Sequence, residues 1–232
     1  MNADVGGTHL RIQRDGETRT LPTPQRYKDL VLELAAASDD VNCVSIPGPV
    51  LADGTVSPQN APSPNLGWTG KRLVEDLQER TGSRFYVQRD AYCAALHALR
   101  LHGIHSFLLL YPGTGFGFVA VQNGKILRGP HNVGGEVARL EYRGEKIDVV
   151  ASLKDRPDAE TYFERNKELF VFLADLFGIY TFVLGGRLAE RGDAARVCEE
   201  TVKGTVCEVE AVTTNANPLE GAGFLPGSQL EL

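Results

Sequence analysis

The sequence predicts an α/β protein made of two similar lobes, each a mixed β-sheet flanked by helices. Three observations support this. Strands alternate with amphipathic helices along the chain, the opening strand–turn–hairpin layout restarts near residue 105, and three strands end in glycine turns. Alternating β and α segments are typical of sheets covered by helices. We place the lobes at residues 1–104 and 105–232.

The first lobe is predicted to contain strands and helices in a regular order. The segment "HLRIQRDGETRTL" alternates apolar and polar residues around Asp15-Gly16, which indicates a hairpin. Helices are expected in "PQRYKDLVLELAAAS", in "LVEDLQERTG" up to Gly82, and in "DAYCAALHALRLHG", whose apolar positions lie on nearly every side. The segments "VNCVSI" and "RFYVQ" between them are expected to be strands.

The second lobe is predicted to repeat this order. A strand, a glycine turn and a hairpin closed by Asn123-Gly124 are expected in "SFLLLYPGTGFGFVAVQNGKILRG". Helices are then expected in "AETYFERNKELFVFLADLFG" and "RLAERGDAARVCEETV", and strands in "IYTFVLGG" and "TVCEVEAV".

The composition excludes several classes of protein. The 232 residues carry a net charge of -6 without a basic block, which argues against a nucleic-acid surface and favours work on small molecules. No apolar run is long enough to span a bilayer, and the start "MNADVGG" lacks the features of a secretory signal. A soluble, cytoplasmic protein is therefore expected.

The four cysteines show no metal or redox spacing. Cys43, Cys93, Cys198 and Cys207 are scattered, without a CxxC pair. Each is therefore expected to be a small, buried hydrophobic residue.

The glycine turns are the main candidates for chemistry. They are Gly6-Gly7-Thr8, Gly113-Thr114-Gly115 and Gly185-Gly186. Turns without Cβ atoms let backbone N–H groups approach an anion, and a threonine hydroxyl adds a donor, so phosphate is the expected ligand. Taken singly, each turn is more simply explained as the end of a strand.

Seen together, these segments resemble the ROK family (repressors, open reading frames and kinases) of the actin-like ATPase superfamily. "DVGGTHLRI" is similar to its first phosphate loop, "VSIPGPV" and "SPNLGWTGKRL" to its substrate-side segments, and "VQRDAYCAALHAL" to its Asn-Asp-Ala-Asn-Ala-Ala helix start. "GTGFGFVAVQNGKILRGPHNVGGEVARL" resembles its second phosphate loop and Gly-Glu sugar contact, and "FVLGGRLAE" its adenosine loop. The matches follow the family's order through nearly the whole chain.

The resemblance implies two actin-like ATPase (ribonuclease H-like) lobes that bind ATP and a sugar between them. Asp4 is then the carboxylate on the Mg²⁺ side, acting through water. The expected phosphate and nucleotide contacts are Gly6, Gly7, Thr8, Gly113, Thr114 and Gly115, with Gly185 and Gly186 beneath the adenosine. Relatives often form homodimers, so a homodimer is a further possibility.

Phosphoryl transfer to a hydroxyl requires a carboxylate that accepts the proton. Asp90 aligns with the family's catalytic aspartate. Its position at a helix start also suits an N-cap, the commoner role of such an aspartate. We expect Asp90 to be the general base, and both roles are compatible.

Sugar contacts are expected from two further residues. The resemblance assigns Glu136 in "GGEVARL" to sugar hydroxyls, and the amide of Asn65 in "PNLGW" suits the same task. Without the resemblance, Glu136 is an ordinary exposed glutamate and Asn65 a turn former. Trp68 either flanks the pocket or, more simply, packs in the core.

The chain departs from the family at the substrate positions. Arg89 and Tyr92 replace the two asparagines, and Arg139 stands where the family usually has histidine. Because arginine only donates hydrogen bonds, the two arginines either bind an anionic group of the substrate or point outward without a role.

Two segments of the family pattern are missing. Its zinc segment and a second sugar-binding glutamate are replaced by "LEYRGEKIDVVASLKDRPDAETYF", so no structural zinc is expected, and Glu141 or Glu145 is a candidate for the missing glutamate. At the end, "NPLEGAGFLPGSQLEL" keeps a Gly-Ala-Gly helix start, but Pro226 prevents a long helix.

The function expected from these features is an ATP-dependent, glucokinase-type kinase of a hexose or hexose-like sugar. The alternatives are a catalytically weak sugar or metabolite sensor, and a kinase with an acidic sugar or a polyphosphate donor. Only three residues precede Asp4, so the N-terminal DNA-binding segment of ROK repressors is not expected.

Overall fold

The computed structural model describes residues 1–57, 67–113, 115–153, 155 and 157–228. The candidate residues Asn65 and Thr114 lie outside this part of the chain. The chain divides into two compact units. The first contains Met1–His97, Arg128–Gly134 and Asn217–Leu232, and the second contains Ala98–Leu127 and Gly135–Ala216. The lobe limits 1–104 and 105–232 stay a prediction.

A five-stranded mixed sheet forms the centre of the first unit. Its strands are β1 (Asn2–Val5), β2 (His9–Arg14), β3 (Glu17–Pro22), β4 (Val41–Ile46) and β5 (Arg84–Arg89), in the order β3-β2-β1-β4-β5. β1, β2 and β3 form an antiparallel meander, and β4 and β5 run parallel to β1. The predicted turn at Asp15-Gly16 joins β2 to β3, with φ angles of 51° and 81° that suit a tight hairpin.

Three helices belong wholly or partly to this unit, besides a short one near the end of the chain. They are α1 (Tyr27–Ala36), α2 (Leu73–Thr81) and α3 (Asp90–His102). The helical spacing of α1 buries Leu30, Val31 and Leu34, as the sequence predicts. α2 ends at Gly82 in the left-handed conformation, with φ of 71°. Trp68 is fully buried in the core of this unit, which confirms the simpler of its two interpretations.

The second unit repeats the same sheet topology. Its strands are β6 (Phe107–Pro112), β7 (Phe116–Gln122), β8 (Lys125–Ile126), β11 (Thr181–Leu184) and β12 (Glu210–Thr213), in the order β12-β11-β6-β7-β8. β6, β7 and β8 are antiparallel neighbours, whereas β11 and β12 run parallel to β6. The fold class predicted from the sequence, two mixed α/β lobes, is therefore confirmed.

The helices of the second unit cover an aromatic core. A small hairpin, β9 (Glu141–Tyr142) and β10 (Glu145–Lys146), leads into α4 (Ile147–Val150), and α5 (Ala159–Phe177) and α6 (Ala194–Thr201) follow. α5 is capped at its start by Asp158, whose side chain accepts the N–H of Thr161, and at its end by Gly178. Its buried aromatic residues Tyr162, Phe163 and Phe170 contact one another.

The structure corrects several local predictions. The strand expected in "TVCEVEAV" is restricted to β12, because its partner β11 is only four residues long. The helix expected in "RLAERGDAARVCEETV" begins only at Ala194, after a 3₁₀ turn at Gly186–Leu188. Cys207 is exposed, whereas Cys43, Cys93 and Cys198 are buried as expected.

The end of the first unit also differs from the prediction. Helix α7 (Pro218–Ala222) starts at an Asn217 cap with Pro218 in its first turn, so the Gly-Ala-Gly segment closes this helix instead of starting one. A Cβ at Gly221 would lie 1.8 Å from the carbonyl oxygen of Cys93, so glycine allows α7 to pack directly against α3. Among the described residues, no helix is both long and apolar enough to cross a bilayer.

Candidate active site

The candidate residues of the first unit lie at one edge of its sheet. β1, β4 and β5 are parallel neighbours, so their carboxyl ends meet at the same edge. The Gly6-Gly7-Thr8 turn follows β1, and Asp90 follows β5. Ligands of α/β proteins bind at such edges. The fold therefore brings the first phosphate-loop candidate and the candidate base to the same side of one unit.

The Gly6-Gly7-Thr8 turn is fixed at its base and open at its tip. Gly6 donates its N–H to the carbonyl of His9 at 2.8 Å, and the Thr23 hydroxyl donates to the carbonyl of Gly6 at 2.6 Å. Gly7 and Thr8 are exposed. Within the described ranges, neither amide N–H has a hydrogen-bond acceptor. Two donors are thus available to an anion.

Asp4 is a buried carboxylate held by its two neighbouring strands. Its cross-strand partners in the sheet are Arg11 and Ser45. The Arg11 guanidinium donates to Oδ2 at 3.2 Å, and the Ser45 hydroxyl donates to Oδ1. Burial raises the pKa of this carboxyl, and the bonds from Ser45 and Arg11 offset only part of that rise.

These contacts leave the Asp4 carboxylate able to accept further hydrogen bonds. Each carboxylate oxygen already accepts one hydrogen bond and retains accepting capacity for a second. A water molecule bound to a cation can donate that second bond, whereas a direct metal bond competes with Arg11. Asp4 therefore fits the predicted role on the Mg²⁺ side through water.

Asp90 is the first residue of α3. Its Oδ1 accepts the N–H of Ala91 at 2.6 Å, one of the N–H groups at the start of the helix that have no acceptor within it. Burial raises the pKa of the nearby Cys93 thiol well above its usual value, and the negative charges of Asp90 and Asp4 raise it further. The charges of both carboxylates thus affect the same residue, Cys93, in the first turn of α3.

Arg89 and Tyr92, which depart from the family pattern, are both buried. Arg89 is only 5% exposed, and its guanidinium lies 5.3 Å from the centre of the Tyr92 ring. The Tyr92 hydroxyl donates to the carbonyl of Gly134 at 2.6 Å. Of the two interpretations of Arg89, an outward-pointing surface residue is excluded.

A polar network that sequence reasoning missed lies next to Arg89. Asn132, at a positive φ of 60°, donates through Nδ2 to the carbonyl of Val50 and to Oε1 of the fully buried Gln88. The same Gln88 oxygen accepts the N–H of Arg89. Asn132 therefore fixes the segment that leads to Glu136. Its position before the Gly-Gly pair in "HNVGGE" was the available signal.

The second unit has its own edge of glycine turns. β6 and β11 are parallel neighbours, and at their carboxyl ends follow Gly113–Gly115 and Gly185-Gly186. The ring of Tyr111 lies against the glycine pair. A Cβ at Gly185 would be 2.6 Å from its Cδ2, and one at Gly186 would be 3.2 Å from its Cε1. The Tyr111 ring thus leaves no room for a side chain at Gly185, and Gly186 combines a close contact with a positive φ of 58°.

Asp148 is a second residue that sequence reasoning missed. This residue of α4 accepts the N–H of Phe116 through Oδ1 at 2.7 Å. The same oxygen lies 2.5 Å from the position of a Cβ at Gly115, so glycine leaves room for the carboxylate. The replacements considered from the sequence, Glu141 and Glu145, lie exposed on the β9–β10 hairpin. Nothing in the pattern around "EKID" distinguishes Asp148 from its acidic neighbours.

Glu136 precedes a short 3₁₀ helix of the second unit, Val137–Arg139, and Arg139 is its last residue. Both side chains are partly buried. Arg139 donates its backbone N–H to the carbonyl of Glu136 at 3.4 Å, so the two residues share one turn. Their roles in sugar binding stay predictions. Within the described part of the chain, no three His, Cys, Asp or Glu side chains are grouped as ligands for a metal ion.

Comparison with known proteins gives a consistent result. The model of the ROK family matches residues 25–143, just over half of the chain. An N-acetyl-D-glucosamine kinase of Vibrio vulnificus is 31% identical over 157 residues, which cover 59% of this chain and 50% of that protein. The chain spans about half the length of the curated relatives it matches.

Solved structures show the same fold. A ROK family glucokinase from Streptomyces griseus, in complex with glucose and AMPPNP, has a TM-score of 0.76 at 18% identity, covering 95% of this chain and 96% of that one. An inorganic polyphosphate/ATP-glucomannokinase from an Arthrobacter species has a TM-score of 0.72 at 21% identity, with 95% of both chains covered.

Proposed function

Because the chain belongs to the ROK family, we propose that it is an ATP-dependent kinase that transfers the γ-phosphoryl group to a hydroxyl of a hexose or hexose-like sugar. One observation carries the proposal. Asp90 and the open amides of the Gly6-Gly7-Thr8 turn lie at the same edge of one sheet. A carboxylate and a set of anion donors are the two groups that phosphoryl transfer to an alcohol needs.

Asp90 acts as the general base. As the sugar oxygen bonds to the γ-phosphorus, its proton passes to the Asp90 carboxylate, the bond to the bridging oxygen breaks, and ADP leaves. The hydrogen bond from Ala91 holds the carboxylate in place at the start of α3. A carboxylate accepts several hydrogen bonds, so the cap and the base coexist.

The glycine turns bind the donor. In the first unit, the N–H groups of Gly7 and Thr8 stabilise phosphate charge, and Asp4 would hold Mg²⁺ through water. The ion supplies charge neutralisation at the phosphates. In the second unit, Gly113–Gly115 binds phosphate, and Gly185-Gly186 with the Tyr111 ring supports the adenosine.

The sugar is bound by residues of the substrate-side segments. Asn65, Glu136 and the residues around Asp90 are proposed to contact its hydroxyls. The relatives named N-acetyl-D-glucosamine kinase and glucokinase make N-acetyl-D-glucosamine and glucose the first sugars to test. A cytoplasmic location and a homodimer stay predictions.

The test is an ADP-release assay with the purified chain, ATP and Mg²⁺. The panel contains N-acetyl-D-glucosamine, glucose, mannose, glucosamine and glucuronate, and a reaction without sugar measures background hydrolysis. Sugar-dependent ADP release, with a sugar phosphate detected by mass spectrometry, is expected. If no sugar of the panel raises ADP release above the background, although each sugar is shown to be present in its reaction, the proposal is contradicted.

Burial of Arg89 favours a second candidate, in which the sugar carries an acidic group. The guanidinium is held against Tyr92 next to Asp90, and burial strengthens its attraction for an anion. Preference for glucuronate over glucose in the same panel supports this candidate. If glucose and glucuronate bind but neither is phosphorylated, the chain is a sensor on the kinase scaffold.

A further inference from the structure

The junction between β5 and α3 places Asp90 without an intervening loop. β5 ends at Arg89, and α3 begins at the next residue, Asp90. In the described part of the chain, β5 pairs with β4 alone, so strand pairing supports one side of this junction. The position of Asp90 therefore depends on the side chains that hold the last residues of β5.

Gln88 provides a buried hydrogen bond at this junction. Its side chain is fully buried, and its Oε1 accepts the N–H of Arg89 at 2.9 Å. Gln88 is the cross-strand partner of Ser45, which is in turn the partner of Asp4. Side chains of directly opposite residues lie on the same face of a sheet. Gln88 therefore lies on the face that carries Asp4.

Asn132 determines which way the Gln88 carboxamide faces. Its Nδ2 donates to Gln88 Oε1 at 3.1 Å and to the carbonyl of Val50 at 2.6 Å. Because the Arg89 N–H and the Asn132 Nδ2 are both donors, only the oxygen of Gln88 can face them. The Gln88 Nε2 is then buried without an acceptor among the described residues, an unfavourable state that the two bonds to Oε1 must offset.

The loop that carries Asn132 is itself held in place. Asn132 is 2% exposed and has a φ of 60°, a left-handed conformation that asparagine tolerates. Gly134 donates its N–H to the carbonyl of Arg128 at 2.6 Å, which closes the loop, and the Tyr92 hydroxyl of α3 donates to the carbonyl of Gly134. A fixed loop thus presents the Asn132 amide to Gln88.

We propose that Asn132 and Gln88 are positioning residues for Asp90. Asn132 holds the Gln88 carboxamide, the carboxamide holds the N–H of Arg89, and these contacts fix the first turn of α3, to which Asp90 belongs. The chemical consequence, a base kept within hydrogen-bond distance of the sugar hydroxyl, rests on the proposed function. The structural part does not, because all of these contacts lie within the first unit.

The experiment compares Asn132→Gly and Gln88→Met with a matched control, Asn123→Gly. Asn123 also has a positive φ, of 51°, but is exposed, and its side chain has no hydrogen bond among the described residues. Glycine adopts positive φ without strain, so both asparagine substitutions remove only the side chain. Methionine at position 88 fills a similar volume without the acceptor oxygen.

Two properties are measured on each protein. Amide hydrogen exchange of Arg89 and Ala91 is followed by NMR, and turnover and the KM for ATP are measured with the best sugar. Asn132→Gly is also combined with Asp90→Asn. Thermal unfolding monitors folding, and either folded variant suffices for the test.

In Asn132→Gly and Gln88→Met, we expect the Arg89 and Ala91 amides to exchange at least about tenfold faster, because their junction opens more often. Turnover should fall by about tenfold while the KM for ATP changes by less than about twofold, since the base is misplaced but the donor is not. Asn123→Gly should change neither property. In the Asp90→Asn protein, adding Asn132→Gly should lower turnover by less than about twofold, because the base is already lost.

Two results overturn the inference. One is unchanged exchange of the Arg89 amide in the folded variants, and the other is an equal loss of turnover from Asn132→Gly with and without Asp90→Asn. Equally fast exchange of Arg89 in Asn123→Gly would also contradict it. If the wild type phosphorylates no sugar, the proposed function fails, and amide exchange alone then decides whether Asn132 and Gln88 hold the junction.

Discussion

The glycine turns of the two units look alike in sequence but differ in what requires glycine. At Gly7 of the first unit, a Cβ would meet nothing within 4 Å, and its φ is not positive. At Gly115 and Gly185 of the second unit, a Cβ would collide with Asp148 or Tyr111. Internal packing thus explains glycine at positions 115 and 185 but not at Gly7 or Gly113, where a Cβ would enter open space.

The two turns also differ in how many of their amide N–H groups are free to bind a phosphate. Two of the amides at the second loop are already used, since Gly113 donates to the carbonyl of Gly115 and Phe116 donates to Asp148. In the first turn, the amides of Gly7 and Thr8 have no acceptor among the described residues. We therefore predict that the first turn binds an anion more readily than the described part of the second loop.

The largest effect is expected from Gly185→Ala. The new methyl group would meet the rigid Tyr111 ring at 2.6 Å, and overpacking of this kind costs about 1–3 kcal/mol of unfolding free energy. Urea unfolding of the variant measures the loss. Adding Tyr111→Ala to Gly185→Ala should make the glycine substitution much less costly than in the presence of the ring. A Gly185→Ala protein as stable as wild type would show that the ring moves freely.

A smaller effect is expected from Gly115→Ala. The methyl group pushes away the Asp148 carboxylate and breaks its bond to Phe116, at a cost of about 1–2 kcal/mol. In a double-mutant cycle with Asp148→Ala, the two losses should not add, because either substitution removes the same hydrogen bond. Additive losses of unfolding free energy would show that Gly115→Ala does not act through the bond between Asp148 and Phe116.

Asp4→Asn tests the electrostatics beside the first turn. Because burial raises the pKa of Asp4, the folded protein binds its proton more tightly than the unfolded chain. The contribution of Asp4 to stability should therefore be greatest in acid and decline as the pH rises through the unfolded-state value and then the raised folded-state value. Urea unfolding of wild type and Asp4→Asn should show that the unfolding free energy of the wild type, relative to that of the variant, falls as the pH rises across this range. The opposite slope would mean that Ser45 and Arg11 outweigh burial.

The smallest effect on stability is expected from Gly7→Ala, within about 0.5 kcal/mol, because the methyl group enters open space. If this turn binds phosphate, the KM for ATP should rise severalfold while the KM for sugar stays constant. Gly115→Ala should show the opposite pattern, with a larger loss of stability, because the methyl group at that position contacts Asp148. An unchanged KM for ATP would show that this turn does not bind the phosphates of ATP.

Much of the fold follows from local signals in the sequence. Asp15-Gly16 and Asn123-Gly124 both form hairpin turns, and Gly82 ends α2 as expected. These signals work because positive φ angles are accessible to few residue types. The β9–β10 hairpin and the late start of β12 escaped prediction, since a strand exists only where a partner pairs with it.

The candidate site is predictable only in part. Asp90 and the Gly6–Thr8 turn are placed by the strands that precede them, so motif and position agree. The contact of Asp148 with Phe116 joins residues 32 positions apart, and no periodic pattern encodes it. Burial of Arg89 was likewise unexpected, because arginine is usually exposed, whereas here its guanidinium lies against the Tyr92 ring.

The central claim, that the Asp90 carboxylate accepts the proton of the sugar hydroxyl, is tested most directly by Asp90→Asn. Turnover with the best sugar and the affinity for ATP are measured together, on protein shown to be folded by its thermal unfolding. Asparagine retains an oxygen that can accept the N–H of Ala91 but cannot act as the base. We predict that turnover falls by at least about 10²-fold while ATP binding stays nearly unchanged. Unchanged turnover in a folded, ATP-binding variant would contradict the account.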